Sequence, residues 1–149
     1  MFGSIAQSTR EDRLVLTFSA SATNTIKFWD VNGSSNILYE YEKVGDPSVK
    51  GSGEILNGPY FTDISVPSSG KYKLYVRPSG SDYSHLKRIS LRFGSTSTTT
   101  PALNNTQKDQ ILSIDNWGNY PLYYNTIDAF SFCPNFDISA SDCPLLRGS

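Results

Sequence analysis

The sequence predicts a mainly β protein: an antiparallel β-sandwich followed by a small C-terminal unit of one short helix and one short strand. Three observations carry that expectation. Apolar and polar residues alternate with period two in several short segments, each bounded by Gly, Pro, Asn or Ser. Charged residues make up only 18% of the chain, below the roughly 25% of ordinary globular proteins, whereas aromatics reach 13% and include nine tyrosines. That profile suits strands with polar outer faces and suits a helical bundle badly. Near the C-terminus the phase changes, from helical spacing at Ile127 and Phe130 to alternation at Phe136, Ile138 and Ala140, before Pro144.

With 149 residues the chain fits one compact domain, or one small domain with an appendage. A globule of this size buries roughly 70% of its unfolded surface, so neither a disulfide nor a metal is needed for folding. The expected organisation is an N-terminal arm over 1–12, a sandwich over 13–94, a Ser/Thr-rich linker or loop over 95–110, and a cap over 111–149.

Each strand has its own warrant. In RLVLTFSAS, Leu14, Leu16 and Phe18 share one face and Val15 and Thr17 the other. After a turn over Ser19 to Asn24, TIKFWD sets Ile26 and Phe28 against Lys27 and Trp29. Asn32-Gly33 accepts positive φ at little cost and predicts a hairpin into NILYEYEKV. There Ile37, Tyr39 and Tyr41 face one way, and Leu38, Glu40 and Glu42 the other. Gly45 to Gly58 carries Asp-Pro, Gly-Ser-Gly and Asn-Gly signals, and reads as a long loop with room for one short strand at Ile55-Leu56.

YFTDISV is the next strand, and Val66 to Gly70 is a tight connection into KYKLYVR. That strand points Tyr72, Leu74 and Val76 inward, and Lys71, Lys73, Tyr75 and Arg77 outward. LKRISLRF repeats the pattern with Ile89, Leu91 and Phe93 inward. Gly94 to Gln107 is a Ser/Thr-rich break in composition, and QILSI a single strand after it. Five to seven short strands at this spacing describe an antiparallel sandwich.

Thirteen Lys and Arg stand against 14 Asp and Glu, a net charge of −1. Without a basic excess there is no electrostatic engine for nucleic acid, and no polybasic patch for a membrane surface. No run approaches the roughly 18 apolar residues of a membrane-spanning helix, so membrane insertion is not expected. The N-terminal MFGSIAQSTREDR has no apolar h-region, and the expectation is a chain without a signal peptide. Cys133 and Cys143 make no disulfide framework. An extended strand over Phe136–Ala140 would hold them beyond the Cα separation of about 7 Å that a bridge allows. Two free, largely buried thiols are expected.

Catalysis would need convergent acids, bases or nucleophiles. The single histidine, His85, shares one loop with Asp82 and Ser84, and three neighbours on a loop rarely surround an imidazole as a triad requires. A solvated loop histidine is the plainer reading. Cys133 could pair with His85 as a nucleophile, but an inert, largely buried thiol is the plainer expectation. Asp30-x-Asn32-Gly33 resembles a fragment of a calcium loop, yet the later acidic ligands are missing and a turn fits better. No zinc spacing and no phosphate-binding glycine loop occur. The expectation is a protein that is not an enzyme and has no cofactor and no metal.

Aromatic side chains are the remaining candidates. Trp29, Tyr39, Tyr41 and Tyr75 lie on expected strands, and Tyr60, Tyr83, Tyr120, Tyr123 and Tyr124 lie at strand ends or in loops. Exposed aromatics build protein interfaces and also bind sugars, while the plain alternative is that several cover the edge of the core. A helix–strand unit cannot bury its own apolar face, so Phe136, Ile138 and Leu146 need cover from the sandwich or from another subunit. The candidate contact surface is therefore Trp29, Tyr39, Tyr41, Tyr75, Tyr120, Tyr123, Phe136, Ile138 and Leu146.

A family resemblance rests on three groups of residues: Ile111-Leu112-Ser113-Ile114 with Trp117-Gly118-Asn119, then Ala129-Phe130, then Cys133-x-Asn135-Phe136-x-Ile138-x-Ala140-x-Asp142-x-Pro144-x-Leu146. This span resembles the start of BspA-type leucine-rich-repeat surface proteins of Bacteroidota and of phages that infect them. Phe132 stands where the family often has glycine, and Cys143 where it often has a small residue. The chain stops at Leu146-Arg147-Gly148-Ser149, where further repeats would begin, which implies a cap without its solenoid. Residues 13–93 are similar, more loosely, to the immunoglobulin-like or PKD-like sandwich that precedes such caps. Phe28-Trp29-Asp30-Val31-Asn32-Gly33 occupies the place of the Trp-Gly-Asp-Gly motif of PKD domains.

The expected function is a non-catalytic structural or attachment module of an exposed assembly, in contact with other protein subunits and oligomeric. The expected setting is a phage virion, as a capsid-decorating or tail component. The alternatives are a cell-surface adhesin fragment in an extracellular setting, and a carbohydrate-binding module holding a glycan on exposed Tyr and Trp.

Overall fold

Strand β1 (Leu14–Ser19) lies inside the principal sheet, and its sequence LVLTFS shows why. Leu14, Leu16 and Phe18 are fully buried on one face, and Val15 on the other face is buried too. On one side β1 pairs antiparallel with β7 (Lys71–Pro78), which sets Leu16 opposite Leu74 and Phe18 opposite Tyr72. On the other it pairs antiparallel with β9 (Ile111–Asn116), with register shifts at Val15/Leu16 and Thr17/Phe18. The computed structural model describes residues 12–20, 24–28, 30–31, 36–55, 62–78, 90–91, 110–119, 121–123, 135–143 and 145–147.

The sheet continues outward on both sides. Strand β7 pairs antiparallel with β4 (Ile37–Lys43), and β4 pairs antiparallel with β5 (Asp46–Ile55). Strand β9 pairs in parallel with β11 (Asp137–Ile138). The result is a six-stranded sheet in the order β11-β9-β1-β7-β4-β5. Three two-stranded pairs accompany it. Strands β2 (Thr25–Phe28) and β6 (Thr62–Ser65) are antiparallel, as are β3 (Asp30–Val31) and β8 (Ser90–Leu91). Strands β10 (Pro121–Tyr123) and β12 (Leu145–Arg147) are parallel.

One apolar cluster holds the six-stranded sheet and the β2–β6 pair together. Ile37, Leu74, Val76, Ile111, Ile114 and Trp117 enter it from the six-stranded sheet and its margin, and Ile26 and Ile64 from the β2–β6 pair. Each large apolar side chain taken fully out of water contributes about 1.5–3 kcal/mol. Polar atoms at the cluster's edge find partners. The fully buried Tyr72 donates its hydroxyl to the Ser68 carbonyl at 2.8 Å, and Gln110 Nε2 donates to the Thr25 carbonyl at 2.7 Å. The second bond ties the start of β9 to β2.

The described residues are mainly β, with no helix among them, and their principal sheet is mixed. The antiparallel expectation concerned residues 13–94, where the β1–β7, β4–β7, β4–β5, β2–β6 and β3–β8 pairs are antiparallel, whereas the parallel β9–β11 and β10–β12 pairs lie within 111–149. The inward sets Leu14/Leu16/Phe18 and Tyr72/Leu74/Val76 are buried as their alternation predicts. The segment expected as a cap gives its first strand to the sheet built from 13–78, since β9 is hydrogen-bonded to β1.

A long loop was expected over Gly45 to Gly58, and a ten-residue strand, β5, takes up most of it. The hairpin turns at Val44 and Gly45, where the glycine has φ +84°. Between Glu42↔Lys50 and Lys43↔Asp46 the register shifts, so Asp-Pro marks a bulge and not the end of pairing. Asp46 Oδ1 accepts from the Ser48 amide at 3.3 Å and the Ser48 hydroxyl at 2.5 Å, which folds that bulge on itself. The Asn32-Gly33 turn, the helical phase at Ile127 and Phe130, most of the 95–110 linker and nearly all of the N-terminal arm lie outside the described residues.

Candidate functional site

The β4–β5 ribbon forms one margin of the sheet. On its inner face Ile37 is buried, and Tyr39 and Tyr41 pack half-buried against the core. The register sets Tyr39 opposite Gly53 and Tyr41 opposite Gly51. Each ring lies over its glycine: a Cβ at Gly51 would meet the Tyr41 ring at 2.5 Å, and one at Gly53 would collide with the Tyr39 hydroxyl. Tyr41 also meets Tyr72 edge to face, with centroids 5.8 Å apart and planes at 82°. Burial, and then the neighbouring Tyr41, hold the Tyr39 phenol above its ordinary pKa. The two tyrosines form an aromatic wall over β5.

The outer face of the same ribbon is charged. Leu38 and Glu40 of β4, Ser52 and Glu54 of β5, Arg77 of β7 and the buried Arg13 line a groove of about 320 Å³. Arg13 Nη1 meets Glu40 Oε2 at 2.8 Å; the arginine side chain is 8% exposed and the glutamate 41%. Arg13 Nε is buried with no hydrogen-bond partner. Glu54 accepts from Asn36 Nδ2 at 2.9 Å. The groove therefore holds two cations and two carboxylates, a balanced surface suited to polar contact. Among the described lining residues Ser52 has neither His nor Cys beside it.

Two aspartates organise the opposite margin. Asp115 accepts the hydroxyls of Thr17, Ser113 at 2.7 Å and Ser139 at 2.7 Å. Burial pushes its pKa up, but the three hydroxyls and the charge of Lys73 outweigh burial and hold it below the ordinary value of 3.8. Asp142 takes the Trp117 amide at 2.9 Å and the Gly118 amide at 2.8 Å. Gly118 has φ +57°, and a Cβ there would strike the Asp12 carbonyl. The amides of Ser139 and Ala140 both donate to the Ile114 carbonyl, at 3.0 and 2.9 Å. These contacts pin the segment after β11 to the end of β9.

The expected contact residues do not form one surface. Tyr39 and Tyr41 lie on the inner face, and Tyr75 lies half-buried on the outer face, opposite Glu40. Phe136 packs against the core, whereas Ile138 is 54% exposed on β11. Strands β10 and β12 set Tyr123 opposite Arg147 and Leu122 opposite Leu146. Trp29, Tyr120, His85 and Cys133 lie outside the described residues. Cys143 carries a free thiol but is exposed, not buried as expected, because the segment that holds it runs along the surface after β11. Among the described residues there is no group of three or more His, Cys, Asp or Glu able to hold a metal, and no helix long and apolar enough to cross a membrane.

Sequence reasoning missed Arg13, Glu40, Lys50, Ser52 and Glu54. Their signal was present in VKGSGEI, where Lys50, Ser52 and Glu54 alternate with residues that are apolar or lack a side chain. Comparison with protein-family models, with curated proteins and with solved structures finds no match to this chain.

Proposed function

We propose that this chain is a non-catalytic structural and attachment module that works through protein–protein contacts in an exposed, oligomeric assembly. The setting we propose is a phage virion, where the chain serves as a capsid-decorating or tail component. One observation carries the reading: β5 is ten residues long and ends the sheet, with no strand on its outer side among the described residues. A long open edge presents a row of backbone donors and acceptors that a protein partner can pair with. The mixed-charge groove beside it supplies side-chain contacts of both signs.

We also propose the finer architecture: an immunoglobulin-like or PKD-like sandwich, and a leucine-rich-repeat-like cap over 111–149. Burial of Ile26 and Ile64 with Leu16 and Leu74 in one cluster supports two layers. The contact of Asp142 with Trp117 and Gly118 supports the cap, since it joins motif residues that are distant in sequence.

The exposure of Ile138 favours a second reading, a cell-surface adhesin in which further repeats cover that residue. Carbohydrate binding on an aromatic platform is less favoured, because the rings of Tyr39 and Tyr41 are already laid over Gly53 and Gly51. Antibodies raised against the chain and used for immunogold microscopy test the setting. Labelling on the outside of intact particles is expected. Labelling on the outside of cells would select the adhesin, and labelling confined to the cell interior would sink both.

A further inference from the structure

Strand β5 has an uneven outer edge. Its turn end is blunted, because Pro47 has no N–H and Asp46 is folded onto Ser48 within the bulge. From Lys50 to Ile55 the strand is in regular register with β4, and the outer side of that stretch pairs with no strand among the described residues. Lys50, Ser52 and Glu54 are exposed on the outer face of the sheet, while Gly51, Gly53 and Ile55 lie on the core side with Val49, which packs against the core.

We infer that the partner at this edge is a second copy of the same chain, added antiparallel to β5 about a two-fold axis at Ser52. This inference rests on the proposal that the chain works through protein contacts, and names the first of them. Residues directly opposite in an antiparallel pair point to the same face. An axis through Ser52 sets Lys50 opposite the second copy's Glu54, and Glu54 opposite its Lys50. It also sets Val49 opposite Ile55 and Gly51 opposite Gly53 on the core side. Charge thus meets opposite charge on the outer face, and apolar residues meet on the inner face.

Neighbouring axes do worse. An axis at Lys50 sets Lys50 against itself and Asp46 against Glu54, and an axis at Glu54 sets Glu54 against itself. An axis at Gly51 leaves Lys50 opposite Ser52 and Glu54 opposite Ser48, an axis at Gly53 leaves Glu54 opposite Ser52 and Lys50 opposite no charge, and an axis between residues would set outer side chains opposite inner ones. The Ser52 axis joins two six-stranded sheets into one continuous sheet and uses the same patch on both copies, the self-complementary contact of a closed dimer.

Charge exchange tests this register. The full chain is followed by sedimentation equilibrium over a range of concentrations, and a dimer is expected. K50E or E54K alone places like charges opposite each other twice per dimer and should weaken association by about tenfold or more in Kd. The double variant K50E/E54K restores opposite charges and should recover the wild-type Kd. A second test is Ser52→Cys under mild oxidation. Opposite Cα atoms about 4.5–5.5 Å apart fall within disulfide reach, so a disulfide should join the two introduced sulfurs. A wild-type chain that stays monomeric, or a dimer indifferent to both single exchanges, overturns the inference. Either result would leave particle-surface labelling, and with it the broader reading, intact.

Discussion

Tyr41 lies across Gly51 on the neighbouring strand, so closely that a Cβ at the glycine would stand 2.5 Å from the ring. The contact explains how a strand as poor in side chains as β5 is held in place. Tyr41 covers the gap left by the glycine and in turn meets Tyr72 at the core's edge. Tyr39 repeats the arrangement over Gly53.

Gly51→Ala therefore overpacks the ribbon and should destabilise the fold by about 1–3 kcal/mol in chemical denaturation. Tyr41→Leu clears the space, so the double variant should lose less than the sum of the two single losses. Strict additivity would mean that the ring does not lie over the glycine.

This ribbon also marks where the sequence could be read and where it could not. Strands β1 and β7 announce themselves, because Leu14, Leu16, Phe18, Tyr72, Leu74 and Val76 carry their own period-two signal. Strand β5 does not, since the residues that hold Gly51 and Gly53 in the sheet are Tyr39 and Tyr41, on another strand. Asp115 was equally silent, and Asp142 stood out only as a motif residue with no partner assigned. Their partners Thr17 and Trp117 lie 98 and 25 positions away, and only the fold brings them together. The charged groove escaped notice for the same reason, because Arg13 and Glu40 become neighbours only through β7.

Asp142 should act as a staple rather than as a surface charge. Its carboxylate accepts two successive amides, of Trp117 and Gly118. Asp142→Ala leaves both without that acceptor and should cost on the order of 1–3 kcal/mol. Hydrogen exchange at Trp117 and Gly118 should quicken, while exchange along β4 and β7 stays at the wild-type rate after correction for global stability. Unchanged exchange at both amides would show that the staple does not hold.

Asp115 makes the stability of the fold depend on acid. Its folded pKa lies below the ordinary 3.8, so the folded state binds a proton less readily than the unfolded chain. The contribution is fully present above the unfolded value and is lost as pH falls through the lower folded value. Denaturation midpoints should hold steady with respect to this group above about pH 4 and fall below it. Carbon-13 titration of the Asp115 carboxyl should give a midpoint below 3.8, and Thr17→Val should move it upward by removing one hydroxyl donor. A midpoint at or above the ordinary value would show that burial dominates over the three hydroxyls.

Cys143 offers the simplest check on how the segment after β11 lies. The thiol is free and exposed, three residues beyond Ala140, which packs half-buried against the core, and one beyond the Asp142 staple. Exposed thiols react as thiolates with disulfide reagents, at a rate set by access and by the ionised fraction. In the native chain Cys143 should react with a chromogenic disulfide in a fast phase that needs no unfolding, and Cys143→Ser should abolish that phase. The same substitution should change stability by no more than about 0.5 kcal/mol, as for a surface site away from the packed core. A Cys143 that reacts only at the rate of global unfolding would mean that this segment is folded under the sheet and not along its surface.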